Sequence, residues 1–347
     1  MTVLVGTELG EYRSKVFRYY EQKKYSEALA VARDASKRFP DYDAKTSFWI
    51  ACLENRLGNH DEAIQTLQSA TRRGVWWPPG TLQDSDLDSI RNRPEFRAFE
   101  DDCRRLQQQS PRIAKLELMV RVPTGYSDKK NWAALVVFHA RGGERPELSA
   151  EEWLPVVSTG TILAAPWSSQ VGGSDVRCWD DWEISERDVT WTFDELGSKY
   201  RLNLDKLVLG GFSQGGALSI YSALKRLVPC RGFVAVAPSD WVRPEEKRAT
   251  ERKELSEPFA SFVKASDCRG LKGAIIIGDK DPFFPKVEQL YALMVERGLD
   301  GELLVERGLG HQYPHGFESK LRGAVDFVLG TDDKAEMRPR PLNSTGL

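Results

Sequence analysis

The pentapeptide Gly211-Phe212-Ser213-Gln214-Gly215 sets a serine between two glycines. An apolar run over 206–210 precedes it, and a helix-forming run over 217–228 follows. A strand, a very tight turn and then a helix lift one side chain above a sheet. Side chains at 211 and 215 would collide with neighbouring backbone in such a turn, which accounts for the glycines. A hydroxyl presented this way is a candidate nucleophile for acyl transfer. The amide N–H of Gln214, at the start of the helix, faces the place where charge develops on a carbonyl oxygen under attack.

A serine hydroxyl needs a base, and the base needs an acid to orient it. The chain has four histidines. His60 lies in a helical stretch and His139 ends an apolar run well before the serine. Only His311 and His315 follow Ser213 in the order nucleophile, acid, histidine that this turn motif uses. His311 closes Gly308-Leu309-Gly310-His311, a turn that can present an imidazole, and is the expected base. His315 is expected at the rim. Asp279 and Asp281 both close the apolar run 274–278, so either can supply the acid.

These residues must be held by a sheet. From residue 115 onward short apolar runs alternate with amphipathic stretches, the pattern of an α/β fold with a mostly parallel sheet. Strands are expected near 115–122, 132–138, 160–165, 206–211, 232–237, 273–278 and 301–306. Helices are expected near 185–200, 214–228, 286–297 and 316–329, with the charged stretch 243–264 helical as well. The first 110 residues instead carry only the helical period. Lys24-Tyr25-Ser26-Glu27-Ala28-Leu29 reappears as Asn59-His60-Asp61-Glu62-Ala63-Ile64, with Ala28 and Ala63 35 residues apart. That spacing marks a helix–turn–helix repeat, with helices expected near 8–22, 25–38, 42–57 and 60–73. A helix near 94–108 is expected to cap them, and Trp76-Trp77-Pro78-Pro79-Gly80 to form a rigid apolar turn. The organisation expected is a helical repeat domain over 1–110, a catalytic domain over 111–330 and a loosely packed tail over 331–347. The polar stretch Gln107-Gln108-Gln109-Ser110-Pro111 is the linker between the first two.

The chain from about 115 to 329 resembles the phospholipase/carboxylesterase branch of the α/β-hydrolases, which includes acyl-protein thioesterases. The residues that carry the resemblance are Gly211-Phe212-Ser213-Gln214-Gly215-Gly216, Gly278 with Asp281, and Gly310-His311. The helical segment resembles tetratricopeptide repeats. The resemblance implies an α/β-hydrolase fold behind a small all-α domain, and cleavage of esters or thioesters without metal or organic cofactor. It selects Asp281 as the acid and leaves Asp279 as a turn residue. It also implies a second oxyanion donor in the loop His139-Ala140-Arg141-Gly142-Gly143, the backbone N–H of Arg141. Related enzymes have glycine where Ala140 stands, so the loop departs from the family at that position.

Trp167, Trp179 and Trp182 follow the strand expected at 160–165 and are candidates for lining a substrate pocket. Packing of that loop on the sheet is the competing reading. Asp180 and Asp181 are expected as charges at a helix N-terminus rather than metal ligands. The net charge of −2 argues against nucleic acid or an anionic membrane as partner. Nothing approaches the roughly 18 apolar residues of a membrane span. The N-terminus lacks the pattern of a secretory signal. Five cysteines, odd in number and never paired as C-x-x-C, fit reduced thiols and a cytoplasmic protein. The expected partner is a small ester or thioester, with a protein partner on the repeats as a further option. Two other functions fit the same residues: a prolyl-oligopeptidase-like peptidase, and a non-catalytic adaptor that binds through its repeats.

Overall fold

The structure is a computed structural model that describes residues 3–240 and 254–331. Five helices come first: α1 (Val3–Glu21), α2 (Tyr25–Arg38), α3 (Asp43–Arg56), α4 (His60–Arg72) and α5 (Pro94–Gln109). There follow β1 (Glu117–Arg121), β2 (Trp132–Phe138), the single turn α6 (Pro146–Ser149), β3 (Ile162–Trp167), β4 (Gln170–Gly173) and β5 (Val176–Cys178). The chain continues through α7 (Trp182–Lys199), β6 (Leu202–Phe212), α8 (Gln214–Leu224), β7 (Gly232–Val236) and α9 (Glu257–Ala265). It ends with β8 (Lys272–Gly278), α10 (Phe284–Glu296), β9 (Asp300–Glu306) and α11 (Phe317–Leu329). The expected mostly parallel α/β architecture behind an all-helical segment is what the chain forms.

The chain divides into two compact units. One joins the segment up to residue 119 with 139–151 and 166–188; the other holds the remaining described residues. Two excursions from the sheet-forming half of the sequence therefore belong with the helices.

In the helical unit, α1 packs on α2, α2 on α3 and α3 on α4. Small side chains make the close crossings possible. Ala28, Ala32, Ala35, Ala51, Ala63 and Ala70 are all fully buried. Gly58 ends α3 at φ 84°, a left-handed turn that costs glycine little. Phe96 and Phe99 of α5 seal one end against Leu67, Trp76 and Trp77. Each large apolar side chain buried this way contributes about 1.5–3 kcal/mol. The Trp77 indole N–H donates to the Ala44 carbonyl at 3.1 Å, so the aromatic turn is pinned as well as packed.

A seven-stranded sheet has the order β1-β3-β2-β6-β7-β8-β9. β2 pairs in parallel with β3 and β6, and β6, β7, β8 and β9 follow in parallel. The central strands read as nearly continuous apolar runs because both faces are covered. One face packs Leu135, Val208, Val234 and Ile276 against Leu321, Val325 and Val328 of α11. The strand order reverses between β2 and β6, which opens a crevice at their carboxyl ends. Ser213 stands there, one residue beyond β6.

Some elements differ from the sequence reading. The hairpin β4–β5 has no counterpart among the expected strands, because Gly172, Gly173 and Ser174 mask any alternation. Helix α8 stops at Leu224 instead of 228, since Arg226 turns to φ 53°. Helix α7 begins at Trp182 instead of 185, and the Asp181 carboxylate caps it by accepting the Ile184 N–H at 3.0 Å. Asp180 also precedes this helix, and its carboxylate accepts the Arg141 side chain. Of the stretch 243–264, residues 243–253 lie outside the described residues, as does the tail beyond 331. Among the described residues no helix is long and apolar enough to cross a membrane. All five cysteines are free thiols, and burial pushes Cys103 and Cys230 up to about 11.

Candidate active site

Ser213 occupies a backbone conformation that only a forced turn imposes, φ 55° and ψ −118°. Non-glycine residues rarely visit that region, and the strain persists because the surroundings over-determine it. The Ser213 amide donates to the Val236 carbonyl at 3.0 Å, and its own carbonyl accepts from Ala217 at 3.0 Å and Ser239 at 3.1 Å. Gly211 is required sterically. A Cβ there would sit 2.4 Å from the Gly215 carbonyl carbon and 2.7 Å from the Phe138 carbonyl oxygen. A Cβ at Gly216 would press on the Gly211 oxygen at 3.1 Å, so the helix starts hard against the strand.

Two other strand ends of the same sheet bring the remaining groups to this serine. His311 lies five residues past β9, and its Nε2 is 2.9 Å from Ser213 Oγ. Its Nδ1 is 2.7 Å from Asp281 Oδ2, three residues past β8. With Nδ1 protonated toward the carboxylate, Nε2 is free to accept the serine proton. Asp281 is fully buried at its side chain while His311 is 29% exposed. The other Asp281 oxygen accepts the Phe283 N–H at 2.8 Å, which fixes the rotamer. Asp279 points elsewhere and accepts the Gly308 N–H at 2.7 Å. Gly278 makes this arrangement possible, because a Cβ there would meet the Leu309 carbonyl oxygen at 2.0 Å. His315 is exposed and precedes α11.

Gln214 opens α8, so its amide stands at the positive end of the helix beside Ser213. The other expected donor, Arg141, belongs to the helical unit. There its guanidinium forks onto Asp180, Nε to Oδ1 at 3.0 Å and Nη2 to Oδ2 at 2.9 Å. Trp167, Trp179 and Trp182 lie in that unit too. Trp167 and Trp179 are buried, with N–H groups bonded to the Gly143 and His139 carbonyls at 2.9 and 3.0 Å. They brace the 139–143 loop. Trp182 is half-buried.

His139 is buried under Trp179, with ring centroids 4.7 Å apart. It donates from Nδ1 to Ala140 O at 2.8 Å and accepts the Ser168 N–H at Nε2 at 3.2 Å. Burial holds it neutral, down to about 4.

The aromatic residues beside His311 escaped the sequence reading. Phe212 lies 5.0 Å and Phe283 5.4 Å from its ring, centroid to centroid. Tyr313 stacks on Phe212 at 4.6 Å and receives the Trp153 indole N–H at 3.0 Å. Phe212, Phe283 and Tyr313 each sit within two residues of a triad position, and that proximity was the available signal.

Residues 11–110 match the family described as the A/B hydrolase-like N-terminal domain, and residues 191–255 match Phospholipase/Carboxylesterase. The chain has an α/β-hydrolase fold. No curated protein matches it. An uncharacterized protein from Bacillus cereus is 22% identical over 93% of this chain and 99% of its own, with a TM-score of 0.49. A thermophilic esterase from Thermogutta terrifontis, solved with butyrate bound, is 17% identical over 63% of this chain and 90% of its own, at TM-score 0.50. Dipeptidyl peptidase 4 from Porphyromonas gingivalis is 14% identical over 61% of this chain and 33% of its own, at 0.47. At such identities the esterase likeness is one of fold, and the chemistry of this chain has to be argued from its own residues.

Proposed function

We propose that this α/β-hydrolase cleaves a carboxylic ester or thioester through an acyl-enzyme on Ser213. The observation that carries the proposal is the unbroken relay Ser213 Oγ to His311 Nε2 at 2.9 Å and His311 Nδ1 to Asp281 at 2.7 Å. Ser213 Oγ attacks the carbonyl carbon as its proton passes to His311 Nε2. Asp281 holds the imidazole in the useful tautomer and stabilises the cation that forms. The backbone N–H of Gln214 receives the oxyanion, a donor worth roughly 10²–10³ in rate. His311 then returns the proton to the departing alkoxide or thiolate. Water attacks the acyl-enzyme by the same route and frees the acid.

The match to Phospholipase/Carboxylesterase over 191–255 supports esters over amides. Phe212 and Phe283 beside His311, with Tyr313 stacked on Phe212, favour an apolar acyl or alcohol group. The free thiols fit a reducing compartment such as the cytoplasm.

A fluorophosphonate probe tests the chemistry, and a panel of acyl esters, thioesters and aminoacyl amides tests the class. Stoichiometric labelling of Ser213 with turnover of esters or thioesters is expected. Turnover of amides alone would make the protein a peptidase. Absence of labelling in folded protein would leave a non-catalytic adaptor.

A further inference from the structure

Lys286 lies in the first turn of α10, where a cation opposes the helix dipole, and its side chain is only 1% exposed. Lysine is almost never buried so completely without a counter-charge. Its ammonium donates to Asp240 Oδ2 at 3.1 Å, and the Asp240 side chain is 2% exposed. The same carboxylate accepts the Ser256 N–H at 3.0 Å and the Ser256 hydroxyl at 2.6 Å. Asp240 thus gathers donors from the residue before α9 and from the first turn of α10. Apolar side chains of similar volume often replace a buried ion pair at no cost to stability, so stability alone does not account for this one.

Both ends of the pair lead to the catalytic groups, and every residue involved belongs to one compact unit. On one side Asp240 follows Ser239, whose N–H donates to the Ser213 carbonyl at 3.1 Å. The strand that leads there, β7, supplies the Val236 carbonyl to the Ser213 N–H at 3.0 Å. Between the two, Ala237 is held at φ 43° with its N–H on the Ile276 carbonyl at 2.7 Å. On the other side the Lys286 N–H donates to the Phe283 carbonyl at 3.0 Å, and its ammonium lies 5.7 Å from the Phe283 ring centroid. Phe283 donates its own N–H to Asp281 Oδ1 at 2.8 Å and sets its ring 5.4 Å from that of His311. The contact between Asp240 and Lys286 therefore joins the segment that supports the nucleophile to the turn that carries the acid and faces the base.

We infer that Lys286 is a positioning residue: through Asp240 it braces the turn 281–283 against the segment that supports Ser213, and so keeps Asp281 and His311 in line with the serine hydroxyl. The inference rests on the acyl-transfer reading above and deepens it. Ladder hydrogen bonds fix the strands themselves, but Ser213, Asp281 and His311 all stand beyond strand ends, where a cross-brace has to do that work. Without it the acid and the base shift against the nucleophile. Proton transfer from Ser213 then slows, a loss that falls on kcat rather than on ground-state binding.

The test is Lys286→Met in the full chain, which keeps the length of the side chain and removes the ammonium. Alone it strands the Asp240 carboxylate, so it is paired with the doubly altered Lys286→Met/Asp240→Asn, whose amide oxygen still accepts from Ser256. Steady-state kinetics on the best ester are measured well below the Tm of each variant, beside inhibition by a trifluoromethyl ketone, which forms a tetrahedral adduct on the serine. Active protein is counted by the fluorophosphonate endpoint. About a tenfold fall in kcat per labelled site is expected in both variants, with KM within about twofold and the ketone weakened by the same factor as kcat. The second change should restore Tm without restoring kcat. Recovery of kcat along with Tm overturns the inference and makes the pair purely structural. Unchanged kcat per labelled site overturns it too, as does a rise in KM with ketone affinity intact. If Lys286→Met does not fold, the double variant, which leaves no stranded charge, is read by the same criteria. Wild-type protein that takes no fluorophosphonate would defeat the acyl-transfer reading itself, a result separate from any effect at Lys286.

Discussion

Asp279 and Asp281 leave the same strand end two residues apart and serve different partners. Asp281 lies 2.7 Å from His311 Nδ1, whereas Asp279 accepts the Gly308 N–H at 2.7 Å. Asp281→Asn is therefore expected to lower kcat about 10⁴-fold by favouring the wrong imidazole tautomer. Asp279→Asn should cost less than about tenfold and act mainly on stability, since a neutral amide oxygen still accepts from Gly308. Matched kinetics on folded variants decide the assignment, and a more damaged Asp279 variant would reverse it.

Ser213→Ala should abolish hydrolysis, with a fall on the order of 10⁶ in kcat, as for loss of a nucleophile in comparable enzymes. The variant should fold, because the bonds that hold position 213 are made by its backbone. Near-normal ester turnover in purified, folded variant would show that another residue is the nucleophile.

Gly211→Ala introduces a methyl 2.4 Å from backbone carbon and 2.7 Å from a backbone oxygen on β2. Neither neighbour can rotate away. A destabilisation of at least about 3 kcal/mol is expected, read from denaturant unfolding. A variant within about 1 kcal/mol of wild type would mean that the turn can open.

His139 stays neutral in the folded protein down to about 4, because burial opposes its charge, against about 6.5 when exposed. Between those values the unfolded chain binds a proton that the folded chain does not. This contribution is present above pH 6.5 and falls away as pH drops toward 4, by about 3 kcal/mol at most. Stability measured at pH 7 and pH 5 should differ less in His139→Gln than in wild type. Identical differences would assign the acid sensitivity to another group.

Removing residues 1–111 strips Leu148 of its partners Leu9, Ala35, Phe39 and Tyr42, and Val171 of the cluster around Trp76. The shortened chain is expected to aggregate or to melt well below the full protein. A truncated protein with unchanged Tm and unchanged activity on small and bulky esters would make the helices an independent adaptor.

The sequence by itself settled what depends on near neighbours along the chain. Steric demand around Ser213 is local, so the glycines at 211 and 215 announce the turn before any fold is known. Periodicity likewise separates the helical segment from the sheet-forming one, because burial repeats every 3.6 residues in one and runs continuously in the other. Tertiary structure decided what depends on where distant segments land. Asp279 and Asp281 are equivalent in local chemistry; only the return of the chain after β9, some thirty residues later, determines which meets His311. Trp167 and Trp179 looked as available as any aromatic until their N–H groups proved to be taken by the 139–143 loop. Phe212 and Phe283 reach His311 from two separate strand ends. The loop 139–151 follows a sheet strand in sequence and packs with the helices in space, since the apolar cluster that receives Leu148 is assembled from α1, α2 and the turn before α3, more than a hundred residues earlier. No pattern within either segment encodes that meeting.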